Sequence, residues 1–281
     1  MIGYLLVRAV LATIAVFPSS ANSFAKLIDV LVPRYRRVAR RNLELAGYSN
    51  PEPIVDGVFR SIGRLMRSFA LLPRINSKNV HEWIEYEGLE NFTVPLARGK
   101  GVLVATAHLG NWELSAFTHA IMTGPMHIVV RPLDNPRIDA FVEQRRGLSG
   151  NPVITKKDAA RGIFRALQSG AAVGILLDQN STPEEGIFVD FFGRKACANA
   201  AFVKFAQRTG AAVVPGFALW DEDKRRYILR FYPEIPMTGE VAIDTQAVHG
   251  QLESVIREFP DQWLWIHRRW KTRPAGEQPL Y

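Results

Sequence analysis

Beyond residue 80 this chain alternates short apolar runs with segments of helical spacing, and few folds accommodate that order. Candidate strands fall at 83–87, 102–107, 127–130, 153–154, 173–177 and 212–219. Candidate helices lie at 89–97, 113–122, 138–147, 159–168 and 200–209. Strands that alternate with helices in this way predict an α/β fold with a mainly parallel sheet flanked by helices. The polar run Asp221-Glu-Asp-Lys-Arg225 sits between 212–219 and the apolar 226–232, which reads as a hairpin and makes the sheet mixed. In such a sheet the functional site is expected along the edge where strand ends meet.

One strand end carries chemistry. The run at 102–107 leads into His108-Leu-Gly-Asn-Trp-Glu113, so an imidazole emerges at the strand end and a carboxylate falls in the first turn of the next helix. The spacing alone is a weak signal, because 6 His and 27 acidic residues make one chance match ordinary. A capped helix start beside a polar strand-end histidine would read the same way. The chemical reading is that neutral imidazole is the usual side chain for removing a hydroxyl proton near neutral pH. A carboxylate on the other ring nitrogen would fix its tautomer and stabilise the imidazolium. His108 is the candidate base and Glu113 the candidate orienter. Amides of the 109–111 turn are candidate fixed donors for a developing oxyanion.

At 281 residues, 47% apolar and 22% charged, the chain can bury a large core, and no Pro/Gly/Ser-rich linker or repeat divides it. A single domain at 34–281 preceded by an apolar anchor at 1–33 is the expected organisation. The one cysteine, Cys197, rules out an intramolecular disulfide, which suits a reducing compartment, and reads as a small packed residue. The longest uncharged N-terminal stretch, 9–25, contains Pro18, Ser19, Ser20, Asn22 and Ser23. That falls short of the ~18 apolar residues of a spanning helix and predicts an interfacial or re-entrant segment. Arg34, Arg36, Arg37, Arg40 and Arg41 follow it, as the cytoplasmic face of an anchored protein would place them. A cleavable signal peptide ending near Ser20-Ala21 is the competing reading. The segment 54–72 has apolar residues on one helical face and Arg60, Arg64 and Arg67 on another, either a solvated side or a basic surface for anionic lipid.

The net charge of +8 implies an anionic partner, and membrane is favoured over nucleic acid. The aromatics sit in apolar runs rather than on a basic platform, and no recognition motif appears. A hydrolase would use the same base on water, yet no Gly-x-Ser-x-Gly elbow, His-Glu-x-x-His motif or Gly-x4-Gly-Lys-Ser/Thr loop is present. His119 and His127 lie apart from any Cys or carboxylate at zinc spacing, so no metal or other cofactor is expected.

Thr106-Ala-His-Leu-Gly-Asn-Trp-Glu113, Val130-Arg-Pro-Leu-Asp-Asn-Pro136, Leu177-Asp-Gln-Asn180, Phe188-Val-Asp-Phe-Phe-Gly193 and Trp265-Ile-His-Arg-Arg-Trp-Lys271 stand in the order of the blocks of a known family. From about residue 34 to 274 the chain resembles the bacterial lipid A late acyltransferases, within the glycerolipid acyltransferase superfamily that shares the His-x4-acid motif. The resemblance implies transfer of an acyl chain from an acyl carrier protein or coenzyme A thioester to a hydroxyl of a membrane glycolipid, at the cytoplasmic face of the inner membrane. Relatives that acylate phosphatidylinositol mannosides share the pattern and leave the acceptor open. Candidate substrate-binding residues are Asn111, Arg131 at the end of 127–130, Asp178 at the end of 173–177, and Arg268 and Arg269. Arg131 is suited to a phosphate by its planar fork, and Asp178 to acceptor hydroxyls or to ordering Arg131. The block 267–271 reads as a cationic helix end, solvated or gripping a headgroup phosphate.

Overall fold

The parallel ladders expected from the alternating runs are present in the computed structural model, which describes residues 1–155 and 159–281. The strands are β1 (Ile84–Glu87), β2 (Val102–Thr106), β3 (His127–Val130), β4 (Val153–Thr155), β5 (Ala172–Leu176), β6 (Gly186–Phe191), β7 (Arg194–Asn199), β8 (Ala212–Asp221) and β9 (Arg226–Phe231). Among the described residues seven of them form one sheet in the order β1-β9-β8-β2-β5-β3-β4. Every neighbouring pair is parallel except β8 and β9, the expected hairpin. The central strands β2, β5 and β8 are apolar on both faces, as a sheet covered on both sides requires.

The helices are α1 (Ile2–Val16), α2 (Ser20–Leu31), α3 (Pro33–Leu45), α4 (Glu52–Leu71), α5 (Glu90–Ala97), α6 (Trp112–Met122), α7 (Pro136–Gly147), α8 (Ala159–Gln168), α9 (Ala201–Thr209) and α10 (Val241–Glu258). One core packs Leu103, Ala105 and Val173 against α8, α9 and α10, through residues such as Ile163, Phe202 and Leu252. The other packs Val104 and Val214 against Leu114 and Phe117 of α6 and reaches Leu11 and Ile14 of α1. The helix starts are set by sequence chemistry. Asn111 accepts from the Leu114 amide at 3.0 Å to cap α6, and Asn135 accepts from the Arg137 amide at 3.1 Å before Pro136 in the first turn of α7.

Three segments differ from expectation. β6 and β7 form a separate antiparallel hairpin closed by Phe192 and Gly193, both at positive φ (53° and 70°). That is the two-residue turn favoured by strand twist, normally carried by Asn-Gly. Here a phenylalanine fills the first position, held by its amide on Glu253 Oε2 at 2.6 Å and by its ring against Trp265. α10 falls outside the alternation, because buried Asp244, Thr245 and His249 interrupt its apolar positions. The block 267–271 is not a helix end. It lies in irregular chain beyond a short 3-10 turn at Pro260–Gln262.

At the N-terminus α1 and α2 pack on α4, burying Leu11, Ile14, Ala21 and Ala25. Ile2, Leu5, Leu6, Phe17, Val30 and Leu31 stay exposed. Among the described residues no helix is long and apolar enough to cross a membrane. The arginine cluster is partly neutralised within the protein: Arg36 bonds Asp29, Glu52 and Asp56, and Arg40 bonds Glu52. Of the α4 arginines, Arg64 is half-buried over the Trp220 ring, while Arg60 and Arg67 are exposed, the latter with its guanidinium over Trp83.

Candidate active site

Strand register builds the site. β2 and β5 are parallel neighbours from Val102 opposite Ala172 to Thr106 opposite Leu176, and the Leu177 amide extends the ladder to the Thr106 carbonyl at 2.9 Å. Two residues past each strand stand His108 and Asp178, still at the ladder's offset of 70 positions. Their side chains meet: His108 Nδ1 lies 2.9 Å from Asp178 Oδ1. The carboxylate on Nδ1 is therefore Asp178 and not Glu113. Glu113 instead accepts from Arg146 of α7, with Nε to Oε2 at 2.9 Å and a second bond from Nη2 to Oε1. The reason is geometric, since Glu113, in the first turn of α6, faces the adjacent helix α7 whereas the neighbouring strand end faces His108. Glu113 still acts on His108 through space, favouring its charged form.

Asp178 is fully buried. Its second oxygen accepts from Trp263 Nε1 at 2.7 Å. Burial opposes its charge, but the facing imidazole and these hydrogen bonds win and hold its carboxyl well below the usual carboxylate range. For His108, burial disfavours the cation, and the charge and hydrogen bond of Asp178 outweigh it, so its pKa is raised. His108 Nε2 has no hydrogen-bond partner among the described residues, and the side chain is 17% exposed. An imidazole held by one nitrogen with the other free is arranged to take and return a proton.

The turn after His108 is pinned. Gly110 has φ 63°, and a Cβ there would run into the Ala218 carbonyl. Its amide donates to Gln262 O at 2.9 Å and the Asn111 amide to Ala218 O at 2.9 Å, while the Leu264 amide donates to His108 O at 2.9 Å. These two turn amides are committed to the fold and are not oxyanion donors. Asn111 is likewise structural: buried, it caps α6 and donates to Ser68 Oγ at 2.6 Å.

The other candidates separate. Arg131 is exposed just past β3 and does not pair with Asp178, whose oxygens are occupied by His108 and Trp263. Arg268 is exposed with its guanidinium over the Tyr281 ring. Arg269 is fully buried, donates to Cys197 O at 2.7 Å and lies over Phe191, so it braces the core and grips no headgroup.

Beside the pair a pocket, partly open to solvent, runs between the sheet and α6. Thr106, Trp112, Glu113 and Arg146 line its upper part, and Gly174 and Met126 are among the residues lower down. His108 does not line it, but the edge of Trp112 does, with its ring centroid 4.9 Å from that of His108. His119 also lines it, with Nδ1 2.7 Å from Tyr86 Oη; burial pushes its pKa down to about 4, so it is neutral. The result is an apolar slot with a charged rim.

The family described as bacterial lipid A biosynthesis acyltransferase matches residues 1–272. The chain belongs to this family. It is an acyltransferase, as the resemblance of its sequence blocks implies. A lipid A biosynthesis palmitoleoyltransferase of Escherichia coli (strain K12) is 30% identical over 257 residues, which cover 88% of this chain and 82% of the relative. A lipid A biosynthesis lauroyltransferase of the same strain is 28% identical over 263 residues, 91% of this chain and 85% of the relative. A phosphatidylinositol mannoside acyltransferase of Mycobacterium tuberculosis (strain ATCC 25618 / H37Rv) is 27% identical over 277 residues, 95% of this chain and 86% of the relative.

In this acyltransferase several side chains matter that sequence reasoning passed over. Trp263 holds Asp178, and Arg146 holds Glu113. His267 Nε2 and His249 Nε2 lie 3.3 Å from the main-chain oxygens of Asp178 and Leu177, bracing the segment that presents the carboxylate. Trp263, Arg146 and His249 reach the site from distant parts of the sequence with no local spacing to mark them, whereas His267 falls in the block 267–271, where the sequence suggested a different role.

Proposed function

We propose that this acyltransferase moves a fatty acyl chain from a thioester of acyl carrier protein or coenzyme A to a hydroxyl of a membrane glycolipid, a lipid A precursor. The observation that carries the reading is the His108–Asp178 pair, with a free Nε2, beside an apolar cavity. The acceptor hydroxyl gives its proton to His108 Nε2 as its oxygen attacks the thioester carbonyl. The imidazolium, stabilised by Asp178, then returns that proton to the departing thiol. The cavity takes the acyl chain. No metal enters these steps, and transfer should persist in detergent with chelator. The mannoside acyltransferase relatives support a phosphatidylinositol mannoside as the second acceptor to test.

The deciding assay offers purified protein an acyl thioester with lipid A precursor, with phosphatidylinositol mannoside, or with neither. Thioester loss that requires one lipid identifies the acceptor, and loss without lipid makes the protein a hydrolase.

The exposed apolar residues of α1 and α2, with exposed Arg34 and Arg37 beside them, support docking on the cytoplasmic face of an anionic inner membrane, with residues 1–33 as the anchor. Replacing Ile2, Leu5 and Leu6 by serine should abolish most flotation with phosphatidylglycerol vesicles. One molar salt, with a Debye length of about 3 Å, should release what remains. Flotation unchanged by both treatments would place the contact elsewhere.

The Glu113–Arg146 pair predicts a stability effect. Its side chains are 12% and 20% exposed, so Glu113→Gln leaves a largely buried cation and should cost roughly 2–3 kcal/mol, below the range for fully buried pairs. Arg146→Gln in the same chain should recover most of it in denaturant unfolding. Additive losses would mean the two do not act as a pair.

A further inference from the structure

Gly174 stands in the middle of β5, a central strand, paired with Val104 of β2 and Ile128 of β3. Glycine there is unfavourable, since it costs backbone entropy and leaves nothing to pack. The backbone does not ask for it, because Gly174 is not among the residues at positive φ. Packing does not ask for it either. A Cβ at this position would meet only Met126 Sδ at 3.5 Å and His127 O at 4.0 Å, ordinary contacts. Gly216 on β8, which also lines the cavity, is different: a Cβ there would stand 2.8 Å from Phe231 Cε1, so close packing explains it. What remains for Gly174 is the space beside it, and that space is the cavity.

We infer that Gly174 sets how long an acyl chain the cavity admits, an inference that rests on reading the cavity as the acyl-chain site. Strand side chains alternate, so positions 174, 176 and 178 share a face, with Asp178 at the reacting end and Leu176 between. Four residues at about 3.3 Å each put Gly174 roughly 13 Å below Asp178. An extended chain of single bonds advances roughly 1.3 Å per carbon, so Gly174 lies beside about the tenth carbon. Gly174 and its partner Val104 are the lowest residues of β5 and β2 that line the slot, so the ends of longer chains must lie against this floor. A side chain at 174 would occupy their path while leaving the upper slot, formed by Thr106, Trp112 and Leu176, as it is.

The test is a competition among octanoyl, decanoyl, dodecanoyl, tetradecanoyl and hexadecanoyl thioesters for wild type, Gly174→Ala and Gly174→Leu, with products weighed by mass spectrometry. Each methylene denied burial weakens binding roughly fourfold. Gly174→Ala should therefore lower the ratio of tetradecanoyl to octanoyl transfer roughly fourfold, and Gly174→Leu by roughly fifteenfold or more. Octanoyl transfer should stay within about twofold, which also shows that the variant is folded. If Gly174→Leu does not fold, Gly174→Ala carries the test, because its methyl makes only ordinary contacts. Wild-type transfer with the same chain profile in the variants overturns the role of Gly174 alone. A wild type that transfers no chain overturns the proposed activity instead.

Discussion

Replacing His108 with alanine is expected to lower acyl transfer by about 10²–10⁴-fold, the usual cost of losing a general base. The fold should survive, because the turn that carries His108 is held by main-chain bonds from Leu264 to His108 O, from Gly110 to Gln262 O and from Asn111 to Ala218 O. The imidazole is not among those bonds. Alanine does leave buried Asp178 without one of its two side-chain donors, a loss of about 1–3 kcal/mol. His108→Gln is the sharper variant, since its amide can still donate to Asp178 but cannot accept and return a proton. Because the folded pKa of His108 is raised, its ionisation stabilises the protein below the unfolded value of 6.5, and that contribution fades as pH rises through the folded value. The stability gap between wild type and His108→Gln should therefore be wider at pH 5 than at pH 9 in urea unfolding. A folded His108→Gln protein with near-normal turnover would sink the mechanism.

The fold was legible where sequence and local physics agree. The runs around Val102, Val173 and Ala212 are apolar throughout, as buried parallel strands must be, and the structure pairs them as neighbours. The β6–β7 hairpin was not legible, because Phe192 at positive φ is held by Glu253 and Trp265 rather than by its own preference. In the site, His108 can be found from a strand end followed by a glycine turn. The identity of its carboxylate cannot, because Glu113 and Asp178 are both acidic residues near strand ends. Only the register of β2 against β5 chooses between them. That register is a long-range property, fixed by two cores on opposite faces of the sheet, and no window of sequence contains it. Arg269 misleads for the converse reason. Its neighbours Arg268 and Lys271 read as a solvated patch, while its own side chain turns inward over Phe191.

Asp178→Asn is the second large effect expected. A neutral amide can still face Nδ1 but does not stabilise the imidazolium, and the corresponding change in the serine-protease triad costs about 10⁴ in rate. Transfer should fall by about 10²–10⁴-fold here too, and the pH profile should identify the cause. In wild type, burial pushes the His108 pKa down and Asp178 more than offsets it, so base-dependent kcat/KM should rise with pH through a value above 6.5. With the charge removed, burial dominates, and the acid limb should move to lower pH even as the plateau drops. Stability should follow the same pair. Asp178, with its folded pKa lowered, contributes above the unfolded carboxylate value of about 3.9 and loses that contribution as pH falls through its folded value. His108 contributes below 6.5. The two overlap between about pH 4 and 6.5, so the urea-midpoint deficit of Asp178→Asn should be greatest there and shrink above the folded pKa of His108. A variant that loses rate while keeping the wild-type acid limb would mean that Asp178 shapes the site without setting the base. The role of orienting carboxylate would then pass to a group other than the one in register with His108.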